Sequence, residues 1–549
     1  MMDKIFKANF ILKSRPTESV ISAAFVITVA GLVSNLLGLV RDRLLASNFG
    51  AGDTLDVYYA AFRIPDLIYS LLILGSMSAA FIPVFTGLRS KDGDNDEAWR
   101  LTNGIMNLSL FLIIIISLAC AIAAPLLMRI ITPGFSPEKM ESAVLFTRIM
   151  FLSPILLGVS GIMGGVLTSM KHFLVYSIAP LLYNIGIILG ITVFVRLMGP
   201  IGLAWGVVFG ALMHMVLQYT TVRKLGYVHR WGLAAAWQNR NVRKVFTLML
   251  PRMTGIAINQ FNLMVITVFA STLAAGSLAV FNFSQNLASV PLSVFGISFA
   301  IAVFPVLSTY AARDEKENFI RAFSETFRQI MFFVIPLSVF MVVLRAQIVR
   351  VVLGAGKFDW NDTILTFQCL GILALSLFAQ SAVQLLARSF YALQDTKTPF
   401  YIAIATEAVN ILAVIMLIGR VQIVGLAIAF SLANVVQMML LLFFLRARFE
   451  SLDDKNIILS VSKIAFASFA AGLGIQGAKY AVASVVDLDT FLGVFTQLTV
   501  PLALGFVIFT GISHFLKLEE YVLFRNSLTR KIFKGNKVIL ESTDEVSRM

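Results

Sequence analysis

The chain has 549 residues, of which 58% are hydrophobic and only 13% are charged. Soluble proteins carry about 25% charged residues, so this composition excludes a soluble globular domain. Apolar runs of about 20 residues recur along the chain and predict membrane-spanning helices rather than the alternating strands of a barrel. The net charge of +14 comes from Lys and Arg between the apolar runs, as the positive-inside rule expects, and it does not indicate nucleic acid binding.

We predict an all-α polytopic membrane protein with about fourteen transmembrane helices. In chain order, its parts are a cytoplasmic N-terminal tail (1–19), a first lobe of six spans (20–222), a cytoplasmic amphipathic linker (223–244), a second lobe of six spans (245–446), two further spans (457–516) and a cytoplasmic C-terminal tail (517–549). Lys and Arg concentrate in both tails and after even-numbered spans, which predicts that both termini lie in the cytoplasm. Trp231 and Trp237 predict a short surface helix in the linker.

The two lobes repeat each other in sequence. ASNFGAG (46–52) corresponds to ASTLAAG (270–276), AFIPVF (80–85) to AVFPVL (302–307), and GLAWG (202–206) to GLAIA (425–429). The separation is nearly constant, which chance matches would not produce. Because six spans is an even number, both copies have the same orientation, and we expect a pseudo-two-fold axis along the membrane normal with a site where the lobes meet.

Charged residues interrupt the first apolar runs. Arg41, Asp42 and Arg43 either end a span, as cations that extend to the interface beside a local acid, or Arg41 faces a cavity and binds a diphosphate while Asp42 orients it. Arg63 follows Asp56 by seven residues, which places both on one face of a helix. Pro65 then marks either a plain kink or a hinge for alternating access.

Polar residues also occur within later spans. Asn282, Gln285 and Asn286 lie on one helical face of the eighth span; they either join helices or serve as neutral donors to a sugar or phosphate. Glu407 is a charge deep in the eleventh span, and Asn410 lies one turn later. Glu407 is either a protonated structural acid, a coupling site for a proton or sodium ion shared with Asn410, or a partner of Arg388.

The most distinctive stretches are LLGLVRDRLLASNFGAG with DTLDVYYAAFRIPDL, GAGKFD (354–359) and SFYALQDTKTPFYIAI (389–404). Through them the chain resembles the MurJ/MviN family of lipid II flippases, which belongs to the multidrug/oligosaccharidyl-lipid/polysaccharide exporter superfamily. The resemblance covers residues of about 20–516 and implies fourteen spans in two lobes plus two. Asn35, Tyr69 and Asn286 stand where many members have an arginine, so the chain is a divergent member.

The resemblance implies a flippase that carries lipid II, the lipid-linked peptidoglycan precursor, from the inner to the outer leaflet of the bacterial cytoplasmic membrane. We expect Arg41, with Arg63 or Arg252, to hold the diphosphate. We expect the neutral residues Asn35, Asn282, Gln285 and Asn286 to contact polar groups of the sugar or peptide. The resemblance implies Ser34, Asp42 and Asp56 as further site residues. Membrane lipids and cell-wall synthesis proteins are the further partners implied.

No enzyme motif is present: the chain lacks a P-loop, HExxH and GxSxG. We therefore expect no catalysis, no metal site and no cofactor. Energy would come from a monovalent cation gradient or the membrane potential, or the process would run downhill. Three alternatives stay open: a flippase for another polyprenyl-diphosphate glycolipid or polysaccharide unit, an ion-coupled exporter of small molecules, and a membrane scaffold that does not transport.

Overall fold

The computed structural model describes residues 20–74, 80–92 and 96–533. The predicted N-terminal tail and the end of the C-terminal tail lie outside these residues. In the described part the regular structure is helical and includes no strand. The helices of the first half are α1 (Val20–Phe49), α2 (Asp53–Tyr69), α3 (Ile82–Asp92), α4 (Asp96–Ile122), α5 (Ala124–Ile131), α6 (Pro137–Met150), α7 (Leu152–Ser169), α8 (Phe173–Leu189), α9 (Val195–Met198), α10 (Gly202–Lys224) and α11 (Leu233–Gln238).

The helices of the second half are α12 (Arg240–Ser271), α13 (Ser277–Pro291), α14 (Ser298–Ala312), α15 (Lys316–Val352), α16 (Trp360–Leu375), α17 (Leu377–Ala392), α18 (Lys397–Phe449), α19 (Asp454–Ala483), α20 (Phe491–Phe515) and α21 (Glu519–Phe533). Short π-helical segments follow three of the helices, at Ser70–Leu74, Gly190–Phe194 and Leu292–Ile297. The first comes one turn after Pro65, so α2 continues through its proline and changes helical geometry beyond it.

Eight continuous helical stretches in the described residues are long and apolar enough to cross a membrane, and the bent pair α16 and α17 makes up to nine. Two of these stretches, Phe173–Lys224 and Lys397–Phe449, contain 52 and 53 residues, whereas one crossing needs about 20. The second is broken by non-helical backbone at Val421 and Gln422. The predicted class, an all-α polytopic membrane protein, is therefore confirmed, while the count of fourteen stays a prediction.

Two compact units make up the chain. The first comprises Met1–Asn286, Val352–Thr366 and Val414–Leu426, and the second comprises Leu287–Val351, Phe367–Ala413 and Ala427–Met549. The units are therefore not continuous in sequence, and the predicted lobe boundaries stay a prediction.

In the first unit, α8 packs against both α1 and α10. Glycines make the second of these contacts close: a Cβ added at Gly186 or Gly190 would collide with the backbone of Gly210 or Gly206. Small residues at four-residue spacing allow such an approach, and close packing is what holds helices together in lipid. Since α8 also carries Asn184, this contact fixes the position of a polar side chain inside the bundle.

In the second unit, α15 is contacted by α19 and α20. Phe332 and Phe340 of α15 pack on Phe509 and Phe506 of α20, with ring centroids 5.3 and 5.2 Å apart. Gln347 of α15 donates to Gln497 of α20 (3.0 Å), so a buried hydrogen bond joins the same two helices. The two C-terminal helices that the sequence predicted as an addition thus belong to a packed bundle.

Candidate functional site: two arginines within the first unit

The guanidinium of Arg41, near the end of α1, is held by two neighbours. Its Nε and Nη2 donate to Oδ1 of Asp42 (3.0 and 2.9 Å), and its Nη1 donates to Oδ1 of Asn184 on α8 (3.3 Å). The amide of Asn184 in turn donates to Oγ of Ser34 (3.3 Å), which lies two helical turns before Arg41 on α1. Arg41 keeps 22% of its side chain exposed, whereas Asp42 keeps 3%. A partly exposed cation is thus fixed in one orientation.

Helix α13 connects this pair to a second arginine. Asn286 donates to Oδ2 of Asp42 (2.8 Å), so both carboxylate oxygens of Asp42 have partners. One turn earlier, Oδ1 of Asn282 accepts from Nη2 of Arg63 (3.1 Å), whose Nε donates to Oγ1 of Thr267 on α12 (2.8 Å). We call these side chains the arginine network: Ser34, Arg41, Asp42, Arg63, Asn184, Thr267, Asn282 and Asn286.

The network has more cationic than anionic charge. It contains two guanidiniums and one carboxylate, and its remaining members are neutral amides and hydroxyls. Neutral partners orient an arginine without cancelling its charge, and each guanidinium has five N–H donors. For Arg63, Nη1 donates to no other described residue. The arrangement can therefore bind an anion with several oxygens, such as a phosphate or diphosphate.

The predicted stripe on α2 is present, and it has more members than Asp56 and Arg63. Asp56, Tyr59, Arg63 and Asp66 follow each other at intervals of three and four residues, so they share one face. Tyr59 is 9% exposed and Asp66 is half-buried. This face of α2 presents a phenol, a guanidinium and a carboxylate in successive turns.

Asp56 is the N-terminal residue of this face of α2, and its carboxylate is bonded to neighbouring helices. Its Oδ2 accepts from the Gly276 amide (2.8 Å) and its Oδ1 from the Ala279 amide (3.1 Å), which are the free N–H groups at the start of α13. Lys139 of α6 donates to the same carboxylate (2.8 Å) and to Asp53 (2.6 Å). With 2% exposure, Asp56 caps a helix and holds α2, α6 and α13 together, while its predicted contact with substrate stays a prediction.

Beside Asp56, three loops meet at glycines. Ser47 O accepts from the Lys357 amide (2.9 Å), and the Ala51 amide donates to Asp362 (2.8 Å). A Cβ at Gly276 would collide with Ala51 O, and one at Gly356 with Ser47 O. We call residues 47–52, 272–276 and 353–362 the three-loop contact. In it, the first copy of the repeated motif contacts both the GAGKFD motif and the second copy.

The other predicted substrate residues are placed less closely. Asn35 is exposed on α1, one residue beyond Ser34, and Gln285 is half-buried on α13 between Asn282 and Asn286. Arg252 belongs to α12, but its side chain lies outside the described part of the structure. Of the ten predicted substrate residues, the arginine network contains Ser34, Arg41, Asp42, Arg63, Asn282 and Asn286.

The predicted ion-coupling pair lies in the second unit. Asn410 donates to Oε1 of Glu407 (3.4 Å), and both side chains are buried, with 0% and 8% exposure. Oδ1 of Asn410 is buried without a hydrogen-bond partner. Arg388 donates to Gln384 of its own helix (2.9 Å to the carbonyl). Glu407 and Asn410 thus offer oxygen atoms one helical turn apart.

Sequence reasoning missed three residues of this region: Asn184, Thr267 and Lys139. Asn184 and Thr267 each stand alone in an apolar run, and a lone polar residue in a span is a signal for an inward-facing contact. Lys139 lies in a loop-like segment rich in Pro and Ser, so nothing in its neighbourhood linked it to Asp56.

A profile of the family described as "Lipid II flippase MurJ" matches residues 45–496. A probable lipid II flippase MurJ of Bdellovibrio bacteriovorus is 28% identical over 93% of this chain and 97% of its own length. One from Rhizobium tropici is 30% identical over 76% of this chain and 80% of its own length.

Among solved structures, lipid II flippase MurJ in an inward closed conformation matches with a TM-score of 0.74 at 22% identity, covering 90% of this chain and 99% of that one. An inward-facing multidrug resistance MATE family transporter matches with a TM-score of 0.64 at 16% identity, over 77% of this chain and 96% of that one. These likenesses agree on the transporter fold, and the profile covers most of the sequence. The chain therefore belongs to the lipid II flippase MurJ family.

Proposed function

We propose that this chain translocates lipid II from the inner to the outer leaflet of the bacterial cytoplasmic membrane by alternating access. The observation that carries the proposal is the arginine network, in which Arg41 is oriented by Asp42 and Asn184, and Arg63 by the neutral side chains of Thr267 and Asn282. Proteins named lipid II flippase MurJ are similar to this chain over most of its length, and lipid II carries a diphosphate that two guanidiniums can bind.

The charge of the substrate sets the energetic requirement. Each elementary charge moved through the membrane potential changes the free energy by about 2.3 kcal/mol per 100 mV. Two cations that accompany the diphosphate reduce the charge that must cross a low-dielectric region. Movement of the anion between leaflets is therefore coupled to the potential, or to a monovalent cation that binds elsewhere.

Glu407 and Asn410 are our proposed site for such a cation. Their oxygens lie on adjacent turns of α18, and Oδ1 of the fully buried Asn410 has no hydrogen-bond partner. Carboxylate and amide oxygens are ligands that hard cations prefer. A sodium ion or proton at this pair would neutralise Glu407 and thereby lower the cost of its burial.

Alternating access requires that a contact opens and closes. The three-loop contact is built from short backbone hydrogen bonds and glycine approaches rather than from a large apolar surface. Such a contact can separate without exposing much hydrophobic area. We place it on the outer side of the membrane, with both termini in the cytoplasm, as the distribution of Lys and Arg predicts.

The test is a rescue experiment. A bacterial strain is depleted of its own lipid II flippase while this chain is expressed, and lipid II arriving at the outer leaflet is measured by its accessibility to a lipid II-cleaving enzyme added outside. We expect growth and outer-leaflet lipid II to be restored. No restoration, despite normal levels of this chain in the membrane, would contradict the proposal.

A second candidate function is transport of another polyprenyl-diphosphate glycolipid. Asn35 and Asn286 are the observation in its favour, because they are neutral where many family members carry arginine. The diphosphate requirement is the same, while the headgroup differs. A panel of lipid-linked saccharides in the same rescue strain would separate the two, since this candidate predicts transport of a saccharide without the peptide in preference to lipid II.

A further inference from the structure

Tyr59 is a buried polar residue that the fold does not explain. Its side chain is 9% exposed, and its hydroxyl is buried without a hydrogen-bond partner. Its aromatic ring packs edge-on against the rings of Phe283 and Tyr58, with centroid distances of 5.9 and 5.3 Å. A phenylalanine would make the same ring contacts without burying an unsatisfied hydroxyl, which is costly to folding.

The surroundings of the hydroxyl are charged. Tyr59 lies within electrostatic range of Arg41, Asp42 and Arg63. It precedes Arg63 by one turn on the same face of α2, and that face is the one that meets Asn282 of α13. The phenol therefore lies one helical turn from Arg63, in a region where the charges of Arg41 and Asp42 also act on it.

The partners already present restrict what Tyr59 can bind. Both oxygens of Asp42 accept from Arg41 and Asn286, so that carboxylate is engaged. The two arginines are donors only and cannot accept a proton from a phenol. Tyr59, Arg41 and Arg63 can all donate further hydrogen bonds, and one acceptor with several oxygens could accept from all three. A phosphate group is such an acceptor.

We propose that Tyr59 is a further substrate-binding residue, whose hydroxyl donates a hydrogen bond to a phosphate oxygen of the polyprenyl diphosphate that Arg41 and Arg63 hold. This inference rests on the proposed function and deepens it, because it assigns a third, uncharged donor to the diphosphate. An uncharged donor adds affinity without adding a charge that must be moved or desolvated.

The test compares two Tyr→Phe variants of the full-length protein in detergent. Tyr59→Phe removes the orphan hydroxyl. Tyr227→Phe is the matched control, because the hydroxyl of Tyr227 is buried but satisfied by Asn103 (2.9 Å) and His229 (3.0 Å), away from the network. For each variant, binding of polyprenyl diphosphate and of lipid II is titrated, and the thermal unfolding temperature is measured without lipid.

For Tyr59→Phe we expect affinity for both lipids to fall about tenfold, the effect of a hydrogen bond to a charged group, with an unfolding temperature equal to or above that of the wild type. For Tyr227→Phe we expect a lower unfolding temperature and unchanged affinity. Wild-type affinity in Tyr59→Phe would overturn the inference, and so would a lower unfolding temperature, since that would assign the hydroxyl to the fold.

The two lipids separate this inference from the proposed function. If the wild type binds polyprenyl diphosphate but not lipid II, the proposed substrate is wrong, and the comparison of Tyr59→Phe with the wild type on polyprenyl diphosphate still decides the role of Tyr59. If the wild type binds neither lipid, both proposals are contradicted.

Discussion

The residues of the arginine network differ in how many of their polar atoms are already bonded within the protein. Both carboxylate oxygens of Asp42 accept hydrogen bonds, one of them from Asn286, whereas Arg41 retains an exposed part and Arg63 retains an Nη1 that bonds to no other described residue. Under the proposed function we therefore expect the arginines to contact the substrate, while the acid and the amides orient them. Substitution of an arginine can therefore impair binding in two ways, by removing the charge or by changing only the geometry of the donors.

Arg41→Lys and Arg41→Ala should both abolish rescue of a flippase-depleted strain. Lysine keeps the charge but cannot reproduce the planar fork that contacts Asp42 and Asn184 while facing a diphosphate. Growth is measured alongside the amount of each variant in the membrane. Arg43→Lys serves as control, because Arg43 donates to the carbonyl of Val352 (3.3 Å) and lies outside the network; it should rescue. Growth of Arg41→Ala at normal protein levels would refute the role of Arg41.

At this scale the sequence predicted the charged members and missed their partners. Arg41, Asp42 and Arg63 are conspicuous because charges are rare in apolar runs. Asn184 and Thr267 are distant in sequence from them, and only tertiary packing of α8 and α12 brings them to the guanidiniums. A single sequence contains no signal for that pairing.

Among the structural elements, the three-loop contact is the place where the two copies of the internal repeat touch each other. The first copy supplies Ala51, the second supplies Gly276, and Asp56 of α2 caps the helix that follows Gly276. Gly276 has φ +86, a left-handed conformation that side chains other than glycine rarely adopt. In the first copy the corresponding requirement falls on Gly50, which has φ +64 and where a Cβ would collide with the carbonyl oxygen of Lys357.

Gly276→Ala should weaken this contact. The left-handed backbone alone costs about 1–3 kcal/mol, and the added Cβ collides with Ala51 O, so we expect a lower unfolding temperature and reduced rescue. Gly38→Ala is the matched control, since a Cβ there meets nothing within 4 Å inside α1. It should be neutral or slightly stabilising, because alanine is the better helix former. Equal behaviour of the two variants would contradict this account of the contact.

Asp395 caps α18, as its place in the QDTKTP motif predicts. It accepts from the amides of Lys397 (3.1 Å) and Thr398 (3.0 Å), and Arg448 donates to it (3.3 Å). Burial acts to raise the pKa of Asp395, but the bonds from Thr398 and the charge of Arg448 outweigh it and hold this pKa below the ordinary 3.8. A lowered pKa stabilises the folded state above the unfolded pKa, and the contribution is lost as the pH falls through the folded pKa.

Asp395→Ala should therefore reduce the free energy of unfolding by about 0.5–2 kcal/mol at neutral pH. Its deficit relative to the wild type should shrink as the pH is lowered below 3.8. Asp395→Asn, which keeps an acceptor for the two amides, should show a smaller deficit at neutral pH. Unfolding in detergent is followed against pH for all three proteins, and a deficit that does not change with pH would contradict the assignment.

For the whole molecule, composition was enough to predict the class, because a chain with 13% charged residues and repeated apolar runs can only bury itself in lipid as helices. The repeat correctly drew attention to residues 46–52 and 270–276, which meet in the three-loop contact. The division into compact units could not be predicted. Helix α12 and most of α13 group with the N-terminal helices, and Asp56, Arg63 and Asp42 bond to them. Local sequence patterns do not predict such contacts between residues that are distant in sequence.

We propose that lipid II crosses the membrane through this protein while its diphosphate is held by Arg41 and Arg63. The most direct measurement reconstitutes the pure protein into vesicles with lipid II in one leaflet and follows the headgroup's appearance in the other. We predict rapid exchange with the wild type and exchange close to that of protein-free vesicles with Arg41→Lys. Wild-type vesicles no faster than protein-free ones, or Arg41→Lys vesicles as fast as the wild type, would contradict the account.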